Sequence, residues 1–252
     1  MSALQEIREI KNIVISSLLV LLGCTVFFFV FGMREVSAFG YSVWLPLPSA
    51  EHSMALQTFM RMKQDLVPDS VQLIVTSPTT GFASQVAIAF LLASFLSFPY
   101  LLYRIILYLM PALRSAERKA IFFITLPALI LFASGAAFAY VFLVPPVFRV
   151  LYSFVLPGTA ISFLAVDEFI GTVCSLMFTS GLMFLLPIAM IFLNITGIIP
   201  SDFWHKNWRG AVLTLLVLSA IITPDGSGTS MLILSFPLVS LYAIGAHVGR
   251  RR

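Results

Sequence analysis

The densest cluster of chemically capable side chains in this 252-residue sequence is Pro111-Ala112-Leu113-Arg114-Ser115-Ala116-Glu117-Arg118-Lys119, where one carboxylate, Glu117, stands among three cations. A second acidic patch lies near the N-terminus. There Glu6 and Glu9 are three residues apart, so on a helix both face one side while Leu4, Ile7 and Ile10 lie toward another. A carboxylate so placed can take an arginine guanidinium through two parallel charge-assisted hydrogen bonds. Each patch also has a plainer reading: a cation-rich turn in which Glu117 only offsets its neighbours, and a solvated helix at a membrane interface. The residues by themselves leave these alternatives open.

Other chemistries are poorly supplied. His52, His205 and His247 form no ligand spacing such as H-x-x-x-H, and Cys24 and Cys174 sit in apolar runs as small hydrophobes, so no metal site is expected. An intramembrane protease would need a nucleophilic serine beside a histidine base. The nearest match, Thr179-Ser180-Gly181, comes without a histidine inside the membrane. There is no G-x-x-x-x-G-K-[ST] phosphate loop. The expectation is a non-enzymatic protein with no cofactor and no nucleic-acid partner.

The elements that must position these residues are set by composition. Hydrophobic residues make up 60% of the chain and charged residues only 10%, against about 25% charged in a water-soluble domain. Six apolar runs follow in order: Ile13–Gly32, Phe82–Met110 with Pro99 and Arg104, Ala120–Val144 with Pro127, Phe169–Leu193 with Pro187, Ala211–Ile222, and Ser230–Val248. Crossing a hydrocarbon core of about 30 Å takes roughly 20 residues, which the fifth run does not have. That pair of runs is therefore either re-entrant or set in a thinned bilayer. On this thinned face Thr214 and Ser219 are expected to line a partly wet concavity, with back-bonding to the helix carbonyls as the alternative. The segment ahead of Ile13 is too polar and acidic for a secretory signal, so the first run reads as a retained helix and not a cleaved leader.

Orientation follows the cations. If loops alternate sides, eleven of the 15 Lys and Arg residues fall on the side of the N-terminus, leaving only Arg34, Arg61, Lys63 and Arg149 opposite. The sequence thus predicts an all-α membrane protein of six transmembrane helices with short fifth and sixth members and both termini in the cytoplasm. Residues 1–252 form one polytopic domain. Its outer segment, 33–81, holds Leu56, Phe59, Met60 and Met62 near helical spacing, which suggests a short amphipathic cap helix. A six-helix transporter of small solutes is the alternative class, although no matched halves or midplane charges are visible.

At Met110 to Lys119 the chain resembles the TatC family, the C subunit of the twin-arginine protein translocase, whose first cytoplasmic loop carries A-P-A-L-x-x-x-E-R. Four further stretches agree in order. Glu6-Ile7-Arg8 resembles the family's E-L-R, and Gly135-Ala136-Ala137-Phe138-Ala139-Tyr140 with Pro145 resembles its G-x-A-F-A-Y…P. Thr223-Pro224-Asp225 is similar to the T-P-P-D turn, and Phe236-Pro237-Leu238 with Leu241-Tyr242 to the run within the last helix. The set spans nearly the whole chain.

The resemblance implies a glove-shaped, six-helix receptor in the cytoplasmic membrane that binds twin-arginine signal peptides of folded precursors at the cytoplasmic face. Glu117 would recognise the paired arginines, with Glu6, Arg8, Tyr108 and Arg118 in the same surface. It further implies single-helix partners of the A and B type, membrane lipid, assembly with further copies in a larger complex, and drive by the proton gradient. Leu185, Ser219, Ile222 and Asp225 fall at positions of partner-helix contact. Departures are Leu185, where members commonly carry an intramembrane Glu or Gln, the outer turn lengthened by Gly and Ser, with Thr223 standing at the family's first proline, and the long segment 33–81, which looks more like archaeal members.

Overall fold

The computed structural model describes residues 3–38, 41–49, 52–68, 71–109, 125–153, 162–195, 197–200, 202–225 and 228–250. Within them five helices are long and apolar enough to cross a membrane, over Ile10–Val30, Pro78–Arg104, Leu126–Ser153, Val166–Ile195 and Thr229–Val248, with a shorter apolar helix at Trp208–Ile222. This is the mostly helical membrane fold expected from the runs. Contacts divide the chain into two compact units, residues 1–108 with 161–174, and residues 109–160 with 175–252.

In the first unit α1 (Ala3–Val30) runs straight into an antiparallel hairpin, β1 (Phe31–Ala38) and β2 (Tyr41–Pro48), paired from Phe31↔Pro48 to Ala38↔Tyr41. The returning chain is tied at Ser49 N–H, which donates to the Val30 carbonyl at 3.0 Å. Next comes α2 (Met54–Leu66), whose N-cap Ser53 is buried and accepts from Leu56 N–H at 3.2 Å. Gly32 lets the two pieces meet, because a Cβ there would collide with the His52 carbonyl. Gln57 Nε2 clamps the junction by donating to the Met33 and His52 carbonyls at 3.0 and 3.2 Å. Helix α2 occupies the stretch with helical spacing; it buries Met62 and leaves Met60 exposed.

The strands of this segment are an addition to the sequence reading, which contains no sheet. A second pair joins β3 (Val71–Ile74) in parallel to β4 (Ser162–Ala165). Helix α3 (Pro78–Leu109) starts where sequence rules put a helix: Ser77 Oγ accepts from Thr80 N–H at 3.3 Å, and Pro78 occupies the first helical position, where no N–H is needed.

The second unit contains α4 (Thr125–Phe138), a π-turn (Ala139–Leu143) and α5 (Val144–Ser153) as one rod. Val144 N–H reaches back five residues to the Ala139 carbonyl. Pro145 and Pro146 have no N–H to give and would crowd an ordinary α-turn; the wider turn gives their rings room, and the rod continues past Val144 to Ser153. Helix α6 (Val166–Phe184) breaks at Leu185 and resumes as α7 (Leu186–Ile195), because Pro187 cannot donate back. Small residues set the crossing of α4 and α6. A Cβ at Gly135 would lie 2.8 Å from the Ser180 carbonyl, and one at Gly181 would lie 2.8 Å from the Phe132 ring.

The remaining elements are α8 (Asp202–Lys206), α9 (Trp208–Ile222) and α10 (Thr229–Arg250). With 15 residues, α9 rises about 22 Å and stays short of a full core. By contrast α10 has 22 residues, so the sixth helix is longer than the sequence reading gives and can cross unaided.

Candidate functional site

Of the residues singled out for signal-peptide contact, Arg8 is exposed on α1. Glu6 lies on the first turns of the same helix and Tyr108 on the last turn of α3, but their side chains fall outside the described residues. Glu117 and Arg118 fall outside them altogether.

The residues proposed from sequence for partner-helix contact divide in two. Ser219 is fully buried, and its Oγ donates to the Leu215 carbonyl at 2.8 Å. Thr214 is exposed and donates to the Gly210 carbonyl at 2.9 Å, so both hydroxyls are back-bonded and the wet concavity is not seen at Ser219. The Ser219 carbonyl in turn closes the helix by accepting from both Thr223 N–H and Thr223 Oγ1, at 3.1 and 3.0 Å. Asp225 is buried as well, and its Oδ2 accepts from the fully buried Ser230 Oγ at 2.8 Å. These two residues hold the α9–α10 turn together from inside. Leu185 and Ile222 are half-buried and offer partial surface; Leu185 sits in the helix break, with its N–H on the Leu182 carbonyl at 3.1 Å.

Sequence reasoning missed two features. One is an open apolar groove of about 710 Å³ where three helix irregularities converge: Phe138 and Phe142 at the π-turn, Phe184 at the α6 break, and Phe236 and Pro237 on α10. The available signal was Pro237 inside the last apolar run, but nothing in sequence says that Phe138, Phe142 and Phe184 meet it. The other is a lock at the ends of α7 and α10. Trp204 Nε1 donates to Asn194 Oδ1 at 2.8 Å, and Tyr242 Oη donates to the Trp204 carbonyl at 2.7 Å. Among the described residues no three of His, Cys, Asp and Glu gather where a metal could be held.

Geometry of this kind positions apolar and hydrogen-bonding surfaces. The family described as Sec-independent protein translocase protein (TatC) matches residues 5–237. The chain belongs to the TatC family. A TatC of Cenarchaeum symbiosum is 34% identical over 245 residues, covering 97% of this chain and 91% of the relative. The chloroplastic TATC of Pisum sativum is 30% identical over 178 residues, covering 71% of this chain and 50% of that protein. A crystal structure of the twin arginine translocase receptor TatC is similar over 98% of both chains, with a TM-score of 0.73 and 25% identity. A second, in DDM, covers 97% of this chain and 99% of that one, with a TM-score of 0.75. The TatC family consists of multi-pass translocase components, transport proteins and not catalysts, and this chain is one of them.

Proposed function

We propose that this chain is the signal-peptide receptor and core subunit of a twin-arginine translocase. As a single polytopic domain in the cytoplasmic membrane with both termini inside, it binds paired arginines at its cytoplasmic face. Single-helix subunits of the A and B type and further copies of the chain complete the complex, and the proton gradient drives transport. The family match over residues 5–237 carries this reading.

The chain's own geometry supports one part of it. The Phe29 and Phe82 rings meet edge-on at 5.4 Å, joining the end of α1 to the start of α3. Glu6 and Tyr108 then lie roughly 35 and 40 Å away along the two helices at about 1.5 Å per residue, toward the opposite membrane face. The stretch of sequence holding Glu117 follows α3. Glu6 and Glu117 share one cationic ligand in this reading.

Affinity of the purified protein for a twin-arginine peptide tests it. Replacing both peptide arginines by lysine should abolish binding, because lysine keeps the charge and loses the planar fork. Glu6→Gln and Glu117→Gln should each weaken binding by about 1.5–3 kcal/mol, with a non-additive double variant. Equal binding of the arginine and lysine peptides would remove the receptor reading. Strict additivity would leave two separate contacts.

A further inference from the structure

The loop between α7 and α9 is fixed at the depth where two spans end. Asn194 is the penultimate residue of the span Val166–Ile195, and Tyr242 stands two turns from the end of the span Thr229–Val248. Both hold Trp204, whose ring also meets the Tyr242 ring edge-on at 6.3 Å. Around this anchored tryptophan, large apolar side chains point outward: Ile198 is 68% exposed, Phe203 44% and Trp208 53%. In water such a cluster would be costly. At the boundary of a bilayer it is the arrangement in which aromatic rings sit among headgroups.

Charge is placed on the same stretch. Asn207 N–H donates to the Phe203 carbonyl and Ala211 N–H to the Asn207 carbonyl, both at 3.0 Å, so α8 and α9 are joined at Asn207, whose φ of −103° and ψ of 19° depart from helical values. Asp202 and Lys206 stand four residues apart on α8, and Arg209 lies in the first turn of α9. All three are exposed, as is His205, and the Arg209 guanidinium lies 5.6 Å from the centre of the Trp208 ring. Two permanent cations thus stand against one carboxylate, beside apolar rings and at the end of the spans.

From this juxtaposition we propose that Lys206, Arg209, Trp208 and Phe203 form a binding surface for the headgroup of an anionic phospholipid. The phosphodiester is met by Arg209, held over Trp208, and by Lys206. The glycerol backbone and upper acyl chains rest on Phe203 and Ile198. The cations give the preference for anionic over zwitterionic lipid, since the headgroup phosphate is common to both and only the net charge differs. The proposal uses none of the residues assigned to the peptide surface and does not depend on that assignment.

The full-length protein in neutral detergent, titrated with phosphatidylglycerol or phosphatidylcholine and read by native mass spectrometry, tests the proposal. Phosphatidylglycerol should bind more tightly, and added salt should weaken it. Arg209→Gln and Lys206→Gln should each lower its affinity about fivefold, whereas Asp202→Asn should raise it. Phosphatidylcholine binding should change less than phosphatidylglycerol binding in every variant. Retention of wild-type phosphatidylglycerol affinity by the Lys206→Gln/Arg209→Gln double variant would overturn the assignment. So would equal affinity of the wild-type chain for the two lipids, a measurement that needs no variant. An equal loss of both lipids in the variants would mean that the cations give no preference for net charge and would also end it.

Discussion

Helix α1 and the crossing of α4 with α6 are built from similarly apolar sequence, yet one faces outward and the other inward. In α1, Val14, Leu19 and Val26 are 59%, 62% and 61% exposed. At the crossing Phe132 is fully buried, seated against Gly181, while Phe184 and the Ser180 carbonyl close on Gly135. Lipid tails are as apolar as leucine, so apolar character does not drive one helix against another inside a bilayer. Close backbone approach does, through van der Waals packing that small residues permit. What separates the two regions is where the glycines lie, since a Cβ at Gly23 of α1 would meet nothing within 4 Å.

The largest effect should follow from filling the crossing. Gly181→Leu must displace the Phe132 ring or part the helices, an overpacking that costs about 3 kcal/mol, read as a lowered unfolding midpoint in detergent. If the midpoint were unchanged, the contrast between crossing and lipid-facing helix would collapse. Asp225→Ala should come next, at about 2 kcal/mol, because it strips the buried Ser230 hydroxyl of its acceptor. Asp225→Asn keeps an acceptor and should cost less, a difference that tests whether the turn needs the hydrogen bond or the charge. Leu19→Ala on α1 should be smallest, within about 0.5 kcal/mol, since the lost area faces lipid or detergent in the folded state. A loss of 2 kcal/mol there would show that α1 has a protein partner on that face.

Much of the fold was legible because the bilayer imposes a length and polarity rule on each helix separately. The runs beginning at Ile13, Phe82, Phe169 and Ser230 became spans, and the twelve-residue run Ala211–Ile222 became the short helix. The run ending at Val144 was read too short, because two consecutive prolines ordinarily stop a helix and a π-turn here carries it through. The hairpin Phe31–Pro48 was missed because its first strand begins inside the apolar run Ile13–Gly32, and strand pairing is a property of two segments. For the candidate site, the sequence singled out Glu6 and Glu117 as carboxylates beside apolar runs, and their role stays a proposal. The inward turn of Ser219 and Asp225 was not legible, since a hydroxyl or carboxylate at a helix end fits a wet face and a buried turn equally well.

By itself the sequence determined the solvent, the number of apolar runs, the short fifth helix, and a set of motifs ordered along the chain as in the TatC family. Each of these depends on one segment at a time, through the cost of leaving backbone or charge in hydrocarbon. Only the tertiary structure decided which apolar faces are core and which meet lipid, that phenylalanines from three runs border one groove, and that Trp204 locks the ends of two spans. Those outcomes depend on distances between segments far apart in the chain, set by the few positions where a missing side chain or a single hydrogen bond lets two backbones meet.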